Sequence, residues 1–266
     1  MTVKSSVNTT TVLIFVAGIL LGFVVGFALA NDINRKEQDK LRAELAEQKA
    51  GGATKTAEPG AGAQVTNGDA DQFPTLTEEQ LKNAVAKADE SPGDVELQKK
   101  VGQALYVYAW QTGTASILSD VARILKRAHE ADPKDYKTTV MAGDAHFLIA
   151  RGGDAKHLVE ARKLYEAALA SKPDDVVVRT SFGLTYFYDR PSNPQRAIRE
   201  YRRALQSDSR HELPLQSLAA ALIETEGFDE AGKRLDELEK VNPANGELAS
   251  LRARLEQKRN ASKDKP

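Results

Sequence analysis

Four histidines are the residues of this chain that are best suited to acid–base or metal chemistry near neutral pH. They are His129, His146, His157 and His211. A metal or catalytic helix commonly carries two histidines four residues apart on one face, as in the HExxH motif. These four lie in different predicted helices or loops, and no two are spaced in that way. The histidines therefore predict neither a metal centre nor a general base.

Other catalytic signatures are also missing from the sequence. The chain has no cysteine, which excludes thiol nucleophiles, zinc–thiolate sites and disulfides. It contains no P-loop, no GxSxG nucleophile elbow and no dinucleotide-binding glycine motif. Asp174 and Asp175 follow Pro173, where negative side chains favour the N-terminus of a new helix over a metal pair. The sequence therefore predicts a protein that is not an enzyme and has no cofactor or metal.

Charge gives little indication of a nucleic-acid partner. The 266 residues hold 37 Lys and Arg against 38 Asp and Glu, a net charge of −1. Arg196, Arg199 and Arg203 share one face of a predicted helix. That face is more often solvated than bound to lipid or nucleic acid, although the spacing allows both. We predict no nucleic-acid partner.

The elements that position the rest of the chain begin with an apolar segment at residues 11–30, after a short tail at 1–10. Val12 to Ala30 is 19 residues without a charge, or ~28 Å as a helix, which matches a bilayer core. Small residues recur at every fourth position, which allows self-association with a second membrane helix. They are Gly18, Gly22 and Gly26. We predict a single-pass anchor in the cell membrane that allows a homo-oligomer.

A cleaved signal peptide is the alternative, because Ala28-Leu29-Ala30 resembles a cleavage site. The apolar run is longer than the usual ~7–15 residues, and Arg35 and Lys36 follow closely, which favours an uncleaved anchor. Lys4 is the one Lys or Arg before the span, while five follow it by residue 49. This asymmetry favours the cytoplasmic side for the remaining chain over the periplasmic or extracellular side.

Two different segments follow the apolar run. Residues 31–50 have Ile33, Leu41 and Leu45 at helical spacing among charges, which predicts a juxtamembrane helix. Residues 51–74 are rich in Gly, Ala, Thr and Asp, which predicts a flexible linker. Its 24 residues give a typical reach of ~25–30 Å. Order is predicted to return at residue 75, where Thr77 and Gln80 have the form of a capping box.

An alternation of small and large residues then recurs along the chain. Ala161, Tyr165 and Ala168 share one helix face, and Pro173 ends that helix. The same offsets begin at residues 121, 197 and 231, so the units are spaced by 40, 36 and 34 residues. A small residue precedes each unit in the helix before it, at Gly102, Gly143, Gly183 and Ala219. A period of this size indicates stacked helical hairpins that bury their apolar faces on one another.

This pattern resembles the tetratricopeptide repeat (TPR), over about residues 93–243, as found in membrane-anchored bacterial-type TPR proteins. The resemblance implies an all-α solenoid of about four hairpins at residues 75–260, with Leu248, Leu251 and Leu255 in a C-terminal capping helix. Residues 261–266 are predicted to form a disordered tail. His146 would occupy the aromatic position of its repeat and would be a core residue. Insertions near residues 109–116, 150–157 and 189–194 depart from the family length.

The resemblance also implies a binding groove, because the first helix of each repeat lines the concave side. One column carries large apolar residues at positions 106, 147, 187 and 223, which favour a peptide occupant or, alternatively, packing between helices. The predicted partner-binding residues are Lys99, Gln103, Tyr106, Asp144, Phe147, Thr180, Phe187, Gln216 and Ile223. The family's carboxylate-clamping Lys and Asn residues are missing, so recognition of chaperone C-terminal tails is not expected.

These predictions favour a membrane-tethered protein–protein interaction scaffold whose partner is a protein or peptide. The alternative is an envelope assembly factor of the cytochrome c biogenesis type, which would hold segments of an apoprotein outside the cytoplasm. In a third interpretation, the anchor oligomerises and is itself the functional part.

Overall fold

Ten α-helices make up the computed structural model of the chain, which describes residues 76–263. They are α1 (Glu78–Glu90), α2 (Val95–Thr112), α3 (Leu118–Ala131), α4 (Tyr136–Arg151), α5 (His157–Ser171), α6 (Val176–Phe187), α7 (Pro194–Ser207), α8 (Glu212–Glu224), α9 (Phe228–Val241) and α10 (Leu248–Lys263). A short 3-10 helix, Ala115–Ile117, precedes α3. The predicted tail, anchor with Gly18, Gly22 and Gly26, juxtamembrane helix and linker lie outside the described residues.

The helices pack as hairpins, as the periodicity predicts. The four hairpins are α2–α3, α4–α5, α6–α7 and α8–α9, and each second helix also packs against the first helix of the next hairpin. We call the first helices A and the second helices B. Successive A helices contact one another, while the successive B helices from α3 to α9 lie farther apart. The A helices therefore form the inner face of the array.

Aspartate side chains begin three of the four A helices. Asp94, Asp135 and Asp175 are the N-caps of α2, α4 and α6, and each carboxylate accepts a hydrogen bond from a backbone N–H three residues later. This satisfies a donor that the first turn would otherwise leave free, and it places negative charge at the positive helix end. The predicted capping box at Thr77 and Gln80 is present in both directions. The predicted role of Asp175 as a cap is likewise confirmed.

Small A-helix residues allow close packing of the hairpins. A methyl group built on Gly183 would lie 2.6 Å from Cε1 of Tyr201, and one on Gly143 would lie 2.9 Å from Cε1 of Tyr165. Both tyrosines are fully buried. The fit of a small A-helix residue against a large B-helix ring therefore sets the close packing of the two helices of a hairpin.

A terminal helix covers each end of the array. α1 packs against α2 and α3, so it occupies the place of a preceding B helix, while α10 packs against α8 and α9 like a further A helix. Leu248, Leu251 and Leu255 are buried, as predicted for a cap. The helix continues to Lys263, past residue 260 where the sequence predicts a disordered tail. Arg259 of this helix forms an ion pair with Asp229 of α9 at 2.7 Å.

Candidate binding surface

Polar residues of the predicted groove connect neighbouring A helices. Nζ of Lys99 on α2 lies 2.7 Å from Asp132 and 3.2 Å from Asp135, the N-cap of α4. The hydrogen bond to Asp132, above all, raises the pKa of Lys99. Nε2 of Gln103 donates to the Thr138 hydroxyl at 2.9 Å. These side chains are already occupied in holding α2 against α4.

A half-buried carboxylate lies at the centre of this junction. Asp144 on α4 accepts hydrogen bonds from the Tyr106 hydroxyl at 3.1 Å and from the Tyr165 hydroxyl at 2.7 Å. Burial raises the pKa of Asp144 to about 6, although the two hydroxyl donors act in the opposite direction. Tyr106 is itself buried. The first ring of the predicted aromatic column is therefore part of the core contact between α2, α4 and α5.

Three other predicted groove residues also have partners within the array. Thr180 is fully buried, and its hydroxyl donates to the Val176 carbonyl of its own helix at 2.6 Å. Ile223 is fully buried in the core around α8. The carbonyl of Gln216 accepts from Asn245 at 3.3 Å. A binding role for Thr180 and Ile223 would need the array to open, because neither side chain has exposed surface.

The exposed part of the inner face is aromatic and lies where α4 and α6 end. The ring of Phe147 lies 6.2 Å from that of Tyr188, and the ring of Phe187 lies 5.3 Å from it. The guanidinium of Arg151 covers the Tyr188 ring at 3.7 Å, a cation–π contact. Tyr188 remains 39% exposed, while Phe147 and Phe187 are half-buried. We call Phe147, Arg151, Phe187 and Tyr188 the aromatic cluster.

Sequence reasoning identified two of its four members. Phe147 and Phe187 belong to the predicted column, but Tyr188 and Arg151 do not. Tyr188 directly follows α6, just before the insertion near residues 189–194, so the repeat pattern assigns it no face. The sequence did contain one indication of its role: Tyr188 is an aromatic residue next to Phe187 and close to a change in repeat length.

Two histidines of neighbouring helices are in contact, although their spacing in the sequence does not predict it. Nδ1 of His146 on α4 lies 2.8 Å from Nδ1 of His157, the first residue of α5. His146 is buried, as its repeat position implies, and burial followed by repulsion from His157 lowers its pKa to about 4. Over residues 76–263, no group of three or more potential metal ligands is formed.

The membrane prediction gains no support from the helices themselves. None of those between residues 76 and 263 is both long and apolar enough to cross a bilayer. The predicted span at 11–30 lies outside the described residues.

Comparison with known proteins identifies part of the array. Residues 192–255 match the tetratricopeptide repeat family. The matched segment covers α7, α8 and α9 and the first half of α10, where the repeat spacing is closest to the family length. A comparison with curated protein sequences found no match.

Solved structures extend the fold assignment across the array. A protein described as YrrB, a TPR protein with an unusual peptide-binding site, is 14% identical with a TM-score of 0.52, over 66% of this chain and 84% of that one. MamA from residue 41 onwards, from Desulfovibrio magneticus RS-1, is 16% identical with a TM-score of 0.50, over 64% and 87%. At these identities the likeness shows the fold alone. The described helices form a TPR-like array.

Proposed function

We propose that the array binds a segment of a partner polypeptide on its inner face, at the aromatic cluster. The observation that carries the proposal is the exposure of Tyr188, which is 39% accessible although it contacts two rings and a guanidinium. A ring fixed by its neighbours contributes apolar contact area with little loss of side-chain entropy on binding. The two adjoining half-buried rings extend this apolar surface.

The chemistry of the cluster indicates what kind of segment fits. Half-buried Phe147 and Phe187 favour apolar or aromatic side chains, which would bury surface that is now in water. Arg151 is exposed and would favour a carboxylate next to them. The predicted polar residues Lys99 and Gln103 would act indirectly, by holding α2 against α4. The peptide-binding site named for YrrB supports a peptide occupant by analogy of fold only.

Site-specific crosslinking tests this proposal. A photoreactive amino acid at position 188 should yield one dominant crosslinked polypeptide in cells, and Arg151→Glu should reduce its yield several-fold. Position 159 is the matched control, because Val159 on the B helix α5 is 52% exposed and lies outside the cluster. Equal crosslinking at 159 and 188, or no dependence on Arg151, would contradict the proposal.

We propose further that residues 11–30 tether the array to the cell membrane. The support is the sequence of 19 uncharged apolar residues, followed by a linker that would confine the array within a few nanometres of the bilayer. Confinement raises the effective concentration of a partner in the same membrane. The chain should stay in the membrane fraction after a high-salt wash, and deletion of residues 1–30 should release a helical array.

The side of the membrane separates the two functional alternatives. A reporter fused after Pro266 should be active in the cytoplasm if the array is a cytoplasmic scaffold. Activity only outside the cytoplasm would contradict this and support the envelope assembly factor. Substitution Gly22→Ile should reduce self-association if the stripe of Gly18, Gly22 and Gly26 forms a helix contact. The same measurement on Val24→Ile, off the stripe, is the control.

A further inference from the structure

The outer face of α7 differs in charge from those of the other B helices. Its exposed positions hold only arginine, glutamine and serine: Gln195, Arg199, Arg202, Arg203, Gln206 and Ser207. The outer faces of α5 and α9 mix acidic and basic residues, among them Glu166 and Asp229, and α3 exposes Glu130. The single acidic residue of α7, Glu200, is 1% exposed. α7 therefore presents positive charge to solvent without an exposed acid of its own.

Glu200 lies close to three arginines, two on α7 and one on α6. Its carboxylate lies 3.0 Å from Nη1 of Arg179, 3.2 Å from Nε of Arg196 and 3.6 Å from Nη1 of Arg203. Three positive charges thus share one negative charge. The side chains of Arg196 and Arg203 keep 37% and 58% of their surface exposed. Both arginines therefore keep surface that a second anion can reach.

The arginines of α7 that are not fully neutralised lie in a row along the helix. Arg202 is neutralised by Glu230 at 2.6 Å, whereas Arg199 forms no hydrogen bond or ion pair within residues 76–263. Arg196, Arg199 and Arg203 follow one another at offsets of three and four along one side of the helix, over ~10 Å. We call these three residues the arginine stripe.

We propose that the arginine stripe docks the outer face of α7 on anionic lipid headgroups. The inference rests on the proposed membrane tether, which would keep α7 near a bilayer. Guanidinium groups bind phosphate oxygens through paired hydrogen bonds, and a row of three matches a surface that repeats the same phosphate group. Each arginine near an anionic surface raises the docked-to-free ratio about fivefold. Such weak attraction is enough for a tethered domain, because its local concentration is already high.

Nucleic acid fits this surface less well. Binding to single strands relies on aromatic side chains beside the basic residues, and the exposed positions of α7 contain none. The net charge of the chain is −1, so long-range attraction to a polyanion is weak. Binding to a flat anionic bilayer requires only a local row of positive charges, which the arginine stripe provides.

The absence of cysteine allows a clean test with the full chain. The variant Gln206→Cys carries a fluorophore on the exposed side of α7 without loss of an arginine, and the chain is reconstituted into vesicles. One set contains phosphatidylcholine alone and the other also contains phosphatidylglycerol, both with a nitroxide on the lipid headgroup. We expect stronger quenching in phosphatidylglycerol vesicles. We expect 0.5 M NaCl to remove the difference, because the Debye length is then about 3–5 Å and the attraction between the arginines and the lipid charges is screened.

Charge reversal provides the decisive comparison. Arg199→Glu should reduce the docked-to-free ratio at least about fivefold. It should leave the fold intact, because Arg199 has no partner among the described residues. Lys163→Glu makes the same change in charge on the outer face of α5, where Lys163 is exposed, and should leave quenching unchanged. Equal quenching in both vesicle types, or equal effects of the two reversals, would overturn the docking proposal.

Salt-resistant flotation of the same vesicles separates the two proposals. A chain that floats with phosphatidylcholine vesicles but shows no lipid-dependent quenching is tethered and not docked. A chain that fails to float contradicts the tether itself. Release of the label from phosphatidylglycerol vesicles by a short oligonucleotide, at constant salt, would overturn the lipid assignment in favour of nucleic acid.

Discussion

Gly183 shows how one missing methyl group sets the distance between helices. Because an added Cβ would lie 2.6 Å from the Tyr201 ring, Gly183→Ala should destabilise the array by about 1–3 kcal/mol. The measurement is the urea midpoint followed by helical circular dichroism. Gly93→Ala is the control, since a Cβ there meets nothing within 4 Å, and its midpoint should be unchanged or slightly higher. Equal effects of the two substitutions would contradict the packing role.

Asp144 should make stability depend on pH in an unusual direction. Burial raises its pKa to about 6 in the folded state, above the 3.8 of a free side chain. The folded state therefore binds more protons between these values, and this group stabilises the array as pH falls from about 7 to about 4. Relative to Asp144→Asn, the native chain should gain roughly 1–3 kcal/mol over this window. A constant difference between the two chains would contradict the assignment.

His146 should act in the opposite sense. Its pKa is about 4 when folded and 6.5 when exposed, so the unfolded state binds more protons in between. Stability from this residue is complete above pH 6.5 and is lost as pH falls toward 4. His146→Phe, which places an aromatic residue at the repeat's aromatic position, should lose less stability on acidification than the native chain. Denaturant midpoints between pH 7 and pH 4 measure this, and identical slopes would show that His146 does not titrate in this way.

These residues also mark the limit of prediction from sequence. The contact of Gly183 with Tyr201 was predictable, because fixed offsets on two helices of a repeat determine which faces meet. The contact of His146 with His157 was not, because the insertion between α4 and α5 decides where α5 begins. Tyr106 was assigned to an open groove, but Asp144 on the next A helix holds it in the core. Periodicity identifies the face of a residue, whereas long polar side chains from neighbouring repeats decide how exposed it is.

At the scale of one helix, Asp175 has two roles at the start of α6. It caps the helix through the Val178 N–H at 2.9 Å, and it accepts the Tyr136 hydroxyl of α4 at 2.7 Å. Asp175→Ala should therefore cost more than the ~1 kcal/mol of a cap alone. Asp94→Ala is the control, because Asp94 caps α2 through the Leu97 N–H.

A double-mutant cycle isolates the second role. Tyr136→Phe should cost about 0.5–1.5 kcal/mol in the native background and close to nothing beside Asp175→Ala. Denaturant unfolding of the four chains gives the coupling. Additive losses would show that the hydrogen bond between α4 and α6 contributes no stability.

For the whole molecule, the predicted linker and the folded array should differ in protease resistance. Limited trypsin digestion of the native chain should cleave after Lys55 and leave a stable fragment that begins at Thr56, because residues 78–263 are packed helices. Intact-mass spectrometry identifies the fragment. In Lys55→Gln the same core should remain, with its start moved to another site before residue 76. Early cleavage between residues 95 and 241 would contradict a stable array.

The hydrogen bond between Tyr136 and Asp175 joins the beginnings of α4 and α6, while the ends of these helices meet through rings and the Arg151 guanidinium. A directional bond resists separation more than sliding aromatic contacts do. We therefore expect the two repeats to rotate relative to each other about the N-terminal ends of α4 and α6. A bulky ligand would enter at the C-terminal ends, where the separation of the helices increases most, and the hydrogen bond between Tyr136 and Asp175 would be kept.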